Sequence, residues 1–333
     1  MISAVIFASS ILKPSQASEF LYREFKKGEQ HKYEVRSYMI DEIAEYPVIT
    51  AIPQRIDLNY DFTLKVLDVK NGGFAVAEYR RPTMTQINGE TAESAPVRNV
   101  EKIDMNFKMD LSPINEITNV EDLPKTNSTG KGLPLPGGYL VKWERALQQL
   151  RATSPEAYAN LQALDISQFI GELQRMVLFI GSLDSAIDFN PKLPLDEVEV
   201  GDTWKKTVSY QPQSKSGKKG EIINQRLDMT YKYEGIKVVD GVKVHRITAS
   251  VDLDTDIAKF FNDLLGASPS QTGLSKMPMK LNSKLEFDLD LKSKATLYAE
   301  GNSNASWSIE VPQLPGQAVV SSKMTGKVKM QKK

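Results

Sequence analysis

The stretch Ile56-Asp-Leu-Asn-Tyr-Asp-Phe-Thr-Leu-Lys-Val66 decides how the fold is read. Ile56, Leu58, Tyr60, Phe62, Leu64 and Val66 alternate with Asp57, Asn59, Asp61, Thr63 and Lys65. That period of two is a strand with one dry face and one wet face, whereas a helix would scatter the same residues around its axis. Asn71-Gly72-Gly73 follows, and Asn and Gly accept positive φ cheaply. The chain therefore turns back into Phe74-Ala-Val-Ala-Glu-Tyr79 as a hairpin.

Working outward, the second half repeats the pattern. Met229-Thr-Tyr-Lys-Tyr233 leads through Ile236-Lys-Val-Val239 and the turn pair Asp240-Gly241 into Val242-Lys-Val-His-Arg-Ile247. Alternation returns at Leu285–Leu291 and from Val319 to Met330. Phe62–Val66 aligns with Met229–Tyr233; upstream, Gly28-Glu29 with Tyr33 parallels Gly201-Asp202 with Trp204 and Val208. Downstream, Lys108–Leu111 with Pro113 and Asn115 parallels Lys294–Leu297 with Ala299 and Gly301. Preserved order argues for an internal repeat, although alternating strands resemble one another by construction.

Between the two halves the period changes. Asn127 to Gly138 is a Gly- and Pro-rich linker, followed by Leu140, Trp143, Leu147 and Leu150 on one helical face. Ser154-Pro155-Glu156 is a helix start, and Asp165 opens another helix carrying Ile166, Phe169, Ile170, Leu173, Val177 and Ile180 inward. A last helix, residues 256–265, places Ile257, Phe260, Phe261, Leu264 and Leu265 on one face and ends at Gly266. The expected architecture is α+β. Two related, curved antiparallel β-meanders, half-barrel or clamp-like, occupy residues 18–126 and 191–333, with a linker and helical insert at 127–190.

Composition narrows the function. The 333 residues carry 42 Lys+Arg against 42 Asp+Glu, which removes the basic excess that phosphate neutralisation needs and argues against nucleic acid. Cysteine is absent, excluding disulfides, Cys nucleophiles and Cys-ligated zinc. Ile2 to Leu12 is an uncharged apolar run too short to span a bilayer. With Ser15 and Ala17 behind it, residues 1–17 read as a signal peptide cleaved after Ala17, or else as an ordinary buried segment. The first reading places the protein outside the cytoplasm, in the periplasm or secreted.

No nucleophile elbow, metalloprotease helix, Walker A or dinucleotide motif is present, and no cofactor is called for. His31 and His245 sit in strand-like segments and read as solvent-facing. Asp252, Asp254 and Asp256 alternate like the opening of a calcium loop, but Ile257 and Asp263 stand where Gly and the bidentate acid belong. Asp288 and Asp290 read as the wet side of a strand. An enzyme would require these carboxylates to converge in a cleft. Lys323, Lys327, Lys329, Lys332 and Lys333, and the cluster Lys215, Lys218 and Lys219, read as solvated edges or as attraction to anionic headgroups. The candidate ligand-binding residues are Tyr60, Phe62, Leu64, Tyr231 and Tyr233 on the inner faces, with Phe260, Phe261 and Leu264 as a lid. Core packing explains the same helical stripe without a ligand.

The Gly-acid-x-x-x-aromatic pattern and Leu193-Pro-Leu-Asp-Glu-Val-Glu-Val-Gly-Asp-Thr-Trp204 resemble secreted bacterial proteins of a family of unknown function. That family is distantly similar to outer-membrane lipoprotein carrier clamps, in which a curved antiparallel sheet embraces helices. The resemblance covers about residues 25–125 and 190–333 and implies no catalytic residues. This chain lacks a lipobox Cys, and its helical insert is long. The resulting expectation is a non-enzymatic extracytoplasmic protein that binds or carries a lipid or other apolar or amphipathic molecule between sheet and helices. The competing expectation is a cell-envelope structural module that meets an envelope protein and has no ligand cavity.

Overall fold

The computed structural model describes residues 18–44, 54–88, 97–101, 105–121, 148, 151–152, 155, 173–179, 190–210, 225–266, 268–272, 274–311 and 318–333. The expected signal peptide, the Lys215–Lys219 cluster and most of the expected helical insert lie outside these residues.

Among the described residues thirteen strands form one antiparallel sheet. They are β1 (Gln30–Ala44), β2 (Gln54–Val69), β3 (Ala75–Arg81), β4 (Met84–Asn88), β5 (Val97–Glu101), β6 (Met105–Leu111), β7 (Ile117–Glu121), β8 (Thr203–Tyr210), β9 (Gln225–Val239), β10 (Val242–Asp256), β11 (Pro278–Asp290), β12 (Thr296–Val311) and β13 (Ala318–Lys332). The order is β7-β6-β3-β2-β1-β13-β12-β11-β10-β9-β8, with β4 beside β2 and β5 beside β4. The first half walks outward from β1, and the second half starts at the far edge and walks back. The halves join where β13 pairs with β1, from Tyr33 opposite Lys332 to Ala44 opposite Ser321. This corrects the expected α+β architecture: the described residues form one large open sheet, 64% strand against 12% helix, not two meanders around a helical insert. Of the insert's described residues, 148, 151, 152 and 155 are helical and exposed, while 173–178 are helical and taken into the core.

Local chemistry explains the irregularities. Pro82 has no N–H to give to a ladder and separates β3 from β4. The β2 strand accordingly pairs with β3 from Thr63 to Val69 and with β4 from Ile56 to Tyr60. Gly28 and Gly201, with φ of 82° and 101°, take the left-handed conformation that a side chain would strain. Their turns share four hydrogen bonds. Gly28 N–H donates to Val66 O (2.9 Å) and Val66 N–H to Glu29 O (2.8 Å); Gly201 N–H donates to Tyr233 O (2.8 Å) and Tyr233 N–H to Asp202 O (3.0 Å). The acid's own N–H returns to the third residue back, Lys26 or Glu199, and its carboxylate accepts that residue's N–H at 3.0 and 2.8 Å. A bulge follows each aligned residue, leaving Leu67 unpaired after Val66 and Glu234 after Tyr233. Two details of the sequence alignment fail. His31, opposite Leu64, and Trp204, opposite Tyr231, occupy equivalent rungs, so Tyr33 lies two rungs beyond Trp204. Lys108 stands in β6, whereas Lys294 stands in the turn before β12 with φ of 56°.

The dry face of every long strand belongs to one core. On the central strands this face thins to small residues: Gly326 lies opposite Met39 and Ser303, and Ser303 opposite Ser283. Helical residues 173–178 fill that shallow strip. A Cβ on Gly326 would come within 2.7 Å of Leu178 Cδ2.

Candidate ligand-binding interior

The sheet curls until its two edges approach each other. Glu116, just before β7, accepts from Lys206 Nζ on β8 at 2.9 Å. Residues 18–25 and 190–200 close this end. Leu193 N–H donates to Ile114 O, Asn115 Nδ2 to Pro191 O, Arg23 N–H to Pro113 O, and Glu19 bridges to Val198. Trp204 Nε1 donates to Lys192 O at 2.8 Å, fixing the start of β8.

All eight residues singled out for ligand binding are buried in the shared core. Tyr60, Phe62 and Leu64 lie on β2, and Tyr231 and Tyr233 on β9, with five strands between them along the sheet. At ~4.8 Å per strand that separation is roughly 29 Å along the surface, so these groups line opposite sides of the curl. On one side Tyr33, Phe62, Tyr79 and Phe107 stack across β1, β2, β3 and β6, with centroids 4.8, 5.2 and 5.0 Å apart. Reading β2 alone could not reveal this ladder, because only strand pairing brings Tyr33, Tyr79 and Phe107 into line with Phe62. Arg81 is buried there too, its guanidinium 5.1 Å from the Tyr60 ring. On the other side Tyr231 stacks on Trp204 at 5.6 Å.

The helix Ala258–Leu265 covers the opposite end, as its apolar spacing predicts. Ile257, Phe260, Phe261 and Leu264 face the core and Lys259 faces solvent. Asp256 Oδ1 accepts from Ala258 N–H (2.9 Å) and Met277 N–H (3.0 Å), which ties the helix start to β11. Gly266, with φ of 63°, ends it. Asn262 Nδ2 donates to Leu274 O and Thr272 Oγ1 donates to Asn262 Oδ1, so the cover is held by side-chain hydrogen bonds as well as apolar contact.

Both histidines are buried, which corrects the solvent-facing expectation. His245, 2% exposed, stands between Tyr233 OH, 2.8 Å from Nδ1, and Lys294 Nζ, 2.9 Å from Nε2. Burial, and then the charge of Lys294, pushes its pKa down, while burial pushes Tyr233 up to about 12. His31 Nε2 meets Glu29 Oε1. Burial opposes ionisation of Glu29, but hydrogen bonds from His31 and the Lys26 N–H outweigh it and hold the carboxyl below its ordinary value. Beside this pair Arg23 is fully buried over Phe25, with Nη1 3.5 Å from Asn190 Oδ1 and Nη2 4.0 Å from Glu29.

The carboxylates do not converge. Asp288 stays on the outer face, between the core residues Phe287 and Leu289, but is buried there under a two-pronged hydrogen bond from Arg246 (2.8 and 2.9 Å), its partner across the ladder. Asp290 Oδ1 caps the turn at Lys292 and Ser293. Asp254 pairs with Lys280, and Asp252 stands six residues along β10 from Arg246. Among the described residues no three His, Asp or Glu gather to hold a metal ion. Lys327 and Lys329 pair with Glu300 on the outer face, and Lys333 pairs with Asp61 and Glu34. No described helix is long and apolar enough to cross a membrane.

No protein-family profile and no curated protein matches the sequence. Among solved structures, one titled for lipid–protein interactions in lipovitellin is similar at 8% identity and a TM-score of 0.38, covering 93% of this chain and 25% of that one. This chain therefore spans about a quarter of the lipovitellin chain. DynF from the dynemicin biosynthesis pathway of Micromonospora chersina is similar at 8% identity and a TM-score of 0.23, covering 99% and 92%. A DUF1329 family protein from Desulfovibrio piger is similar at 8% identity and a TM-score of 0.16, covering 90% and 85%. At such scores the likenesses add nothing to the geometry.

Proposed function

We propose that this protein is a non-enzymatic extracytoplasmic binder of an apolar or amphipathic molecule held on the dry face of its curled sheet. The observation that carries the reading is what covers that face. Among the described residues the facing segments are helical, residues 173–178 and Ala258–Leu265, not a second sheet that would interdigitate across it. The eight-residue Ala258–Leu265 cover, pinned by a few side-chain hydrogen bonds, is the kind of element that opens at low cost. The aromatic ladder supplies rigid flat surface for hydrocarbon. The N-terminal apolar run with its small-residue cleavage pattern supports the compartment.

The test is titration of the purified chain with an environment-sensitive apolar fluorophore. Saturable binding that weakens when Phe261→Asp disturbs the cover is expected; no saturable binding by the native protein would overturn the reading.

A second reading, a protein-interaction module, is favoured by one observation. Phe20, Tyr22, Leu195, Val200, Ile236, Val238 and Val242 are exposed, and all stand at the closed end. Co-sedimentation with envelope extracts that disappears in Val238→Asp would favour it.

A further inference from the structure

We propose that the Arg23 guanidinium holds the acidic headgroup of an amphiphile whose hydrocarbon runs along the Tyr33–Phe62–Tyr79–Phe107 ladder. This deepens the ligand-binding reading and rests on it.

Arg23 has no solvent exposure at its side chain, and neither Nε nor Nη2 has a hydrogen-bond acceptor. A buried guanidinium without acceptors is costly, because it has surrendered water for nothing. The neighbours do not repair this. Asn190 Oδ1 reaches only Nη1, while Glu29 stays 4.0 Å from Nη2 with Oε1 turned to His31 and Oε2 to the Lys26 N–H. Nε–H and one Nη2–H point the same way along one edge of the guanidinium, the fork that grips two oxygens of a carboxylate or phosphate side by side.

Two further buried groups at the same end lack partners, His31 Nδ1 and Asn115 Oδ1. His31 belongs to the Glu29 pair, and Asn115 bonds to Pro191 beside Asn190. The ring of Tyr33 is the foot of the ladder, stacked on Phe62, and its centroid lies 6.1 Å from that of His31, the partner of the Glu29 carboxylate beside Arg23. A charged fork at the end of an apolar track is the recognition pattern of a long-chain acid. The equivalent turn at Gly201-Asp202 is solvent-exposed, so the turn itself does not require a buried arginine.

The test titrates the full chain with cis-parinaric acid and with its methyl ester, following probe fluorescence, and repeats both with Arg23→Gln. The acid is expected to bind at least about tenfold more tightly than the ester, as a buried charged hydrogen-bond pair implies. Arg23→Gln is expected to reduce the acid to the level of the ester while leaving the ester unchanged. A dodecyl phosphate competitor separates carboxylate from phosphate preference, and displacement by either acid fits. Equal binding of acid and ester by the native protein overturns the headgroup assignment and leaves the ligand-binding reading standing. Binding of neither overturns both. Should Arg23→Gln fail to fold, the acid-to-ester ratio of the native protein decides alone.

Discussion

The turns at Gly28-Glu29 and Gly201-Asp202 are built from the same four hydrogen bonds, and a bulge follows the aligned residue in each hairpin. Their surroundings differ. Glu29 is drawn into a buried cluster with His31 and Arg23, while Asp202 faces solvent and its rung partner of His31 is Trp204. The two turns separate what a Gly-acid turn needs, a left-handed glycine and a carboxylate for one N–H, from what the first of them adds to it. The addition, a buried cation, is the part that asks for a functional explanation.

The largest effect expected in breaking the comparison is at the ladder. Phe62→Ala removes the middle ring on the Glu29 side and is expected to cost about 4 kcal/mol in urea unfolding. Its aligned counterpart Met229→Ala is expected to cost about 3 kcal/mol, because a methionine leaves a smaller, less stacked gap. Next, Glu29→Ala leaves His31 and the Lys26 N–H without their acceptor in a buried cluster and is expected to cost about 3 kcal/mol, against about 1 kcal/mol for Asp202→Ala, which loses only an exposed turn hydrogen bond. Equal losses would erase the distinction between the two turns. Smaller again, Gly28→Ala and Gly201→Ala should each cost about 1 kcal/mol from φ alone, since neither added Cβ meets an atom within 4 Å.

The smallest expected effect is a dependence on pH in two windows. His245 has its folded pKa lowered, so the stability tied to its neutral form is complete above the unfolded value near 6.5 and is lost as pH falls below it. Glu29 also has its folded pKa lowered, so its contribution is present above the unfolded value near 4.5 and is lost as pH falls through the folded one. Urea midpoints of His245→Asn should flatten only the upper window and those of Glu29→Gln only the lower.

Much of the sheet is legible in sequence because one dry face forces period two, as in Ile56–Val66 and Leu285–Leu291. The Ala258–Leu265 helix is legible from its apolar stripe and Gly266. The joining of the halves is not, because β1 and β13 lie about 290 residues apart and alternation carries no address for a partner strand. Nor is the burial of His31 and His245. Their wrapping comes from Glu29 and from Lys294, each delivered by a turn, and a polar residue among alternating ones looks wet until the turn closes over it. The five predicted lining residues on β2 and β9 needed only alternation, but Arg23 stands outside the periodic segments and becomes visible only when residues 18–25 fold across the sheet end.

Native mass spectrometry of protein purified from its own source, followed by organic extraction, tests the central claim most directly. A reproducible adduct, released by solvent and identified as a long-chain molecule, is the predicted result. Protein that is repeatedly free of adduct, and that takes up none when long-chain acids are supplied, would contradict it.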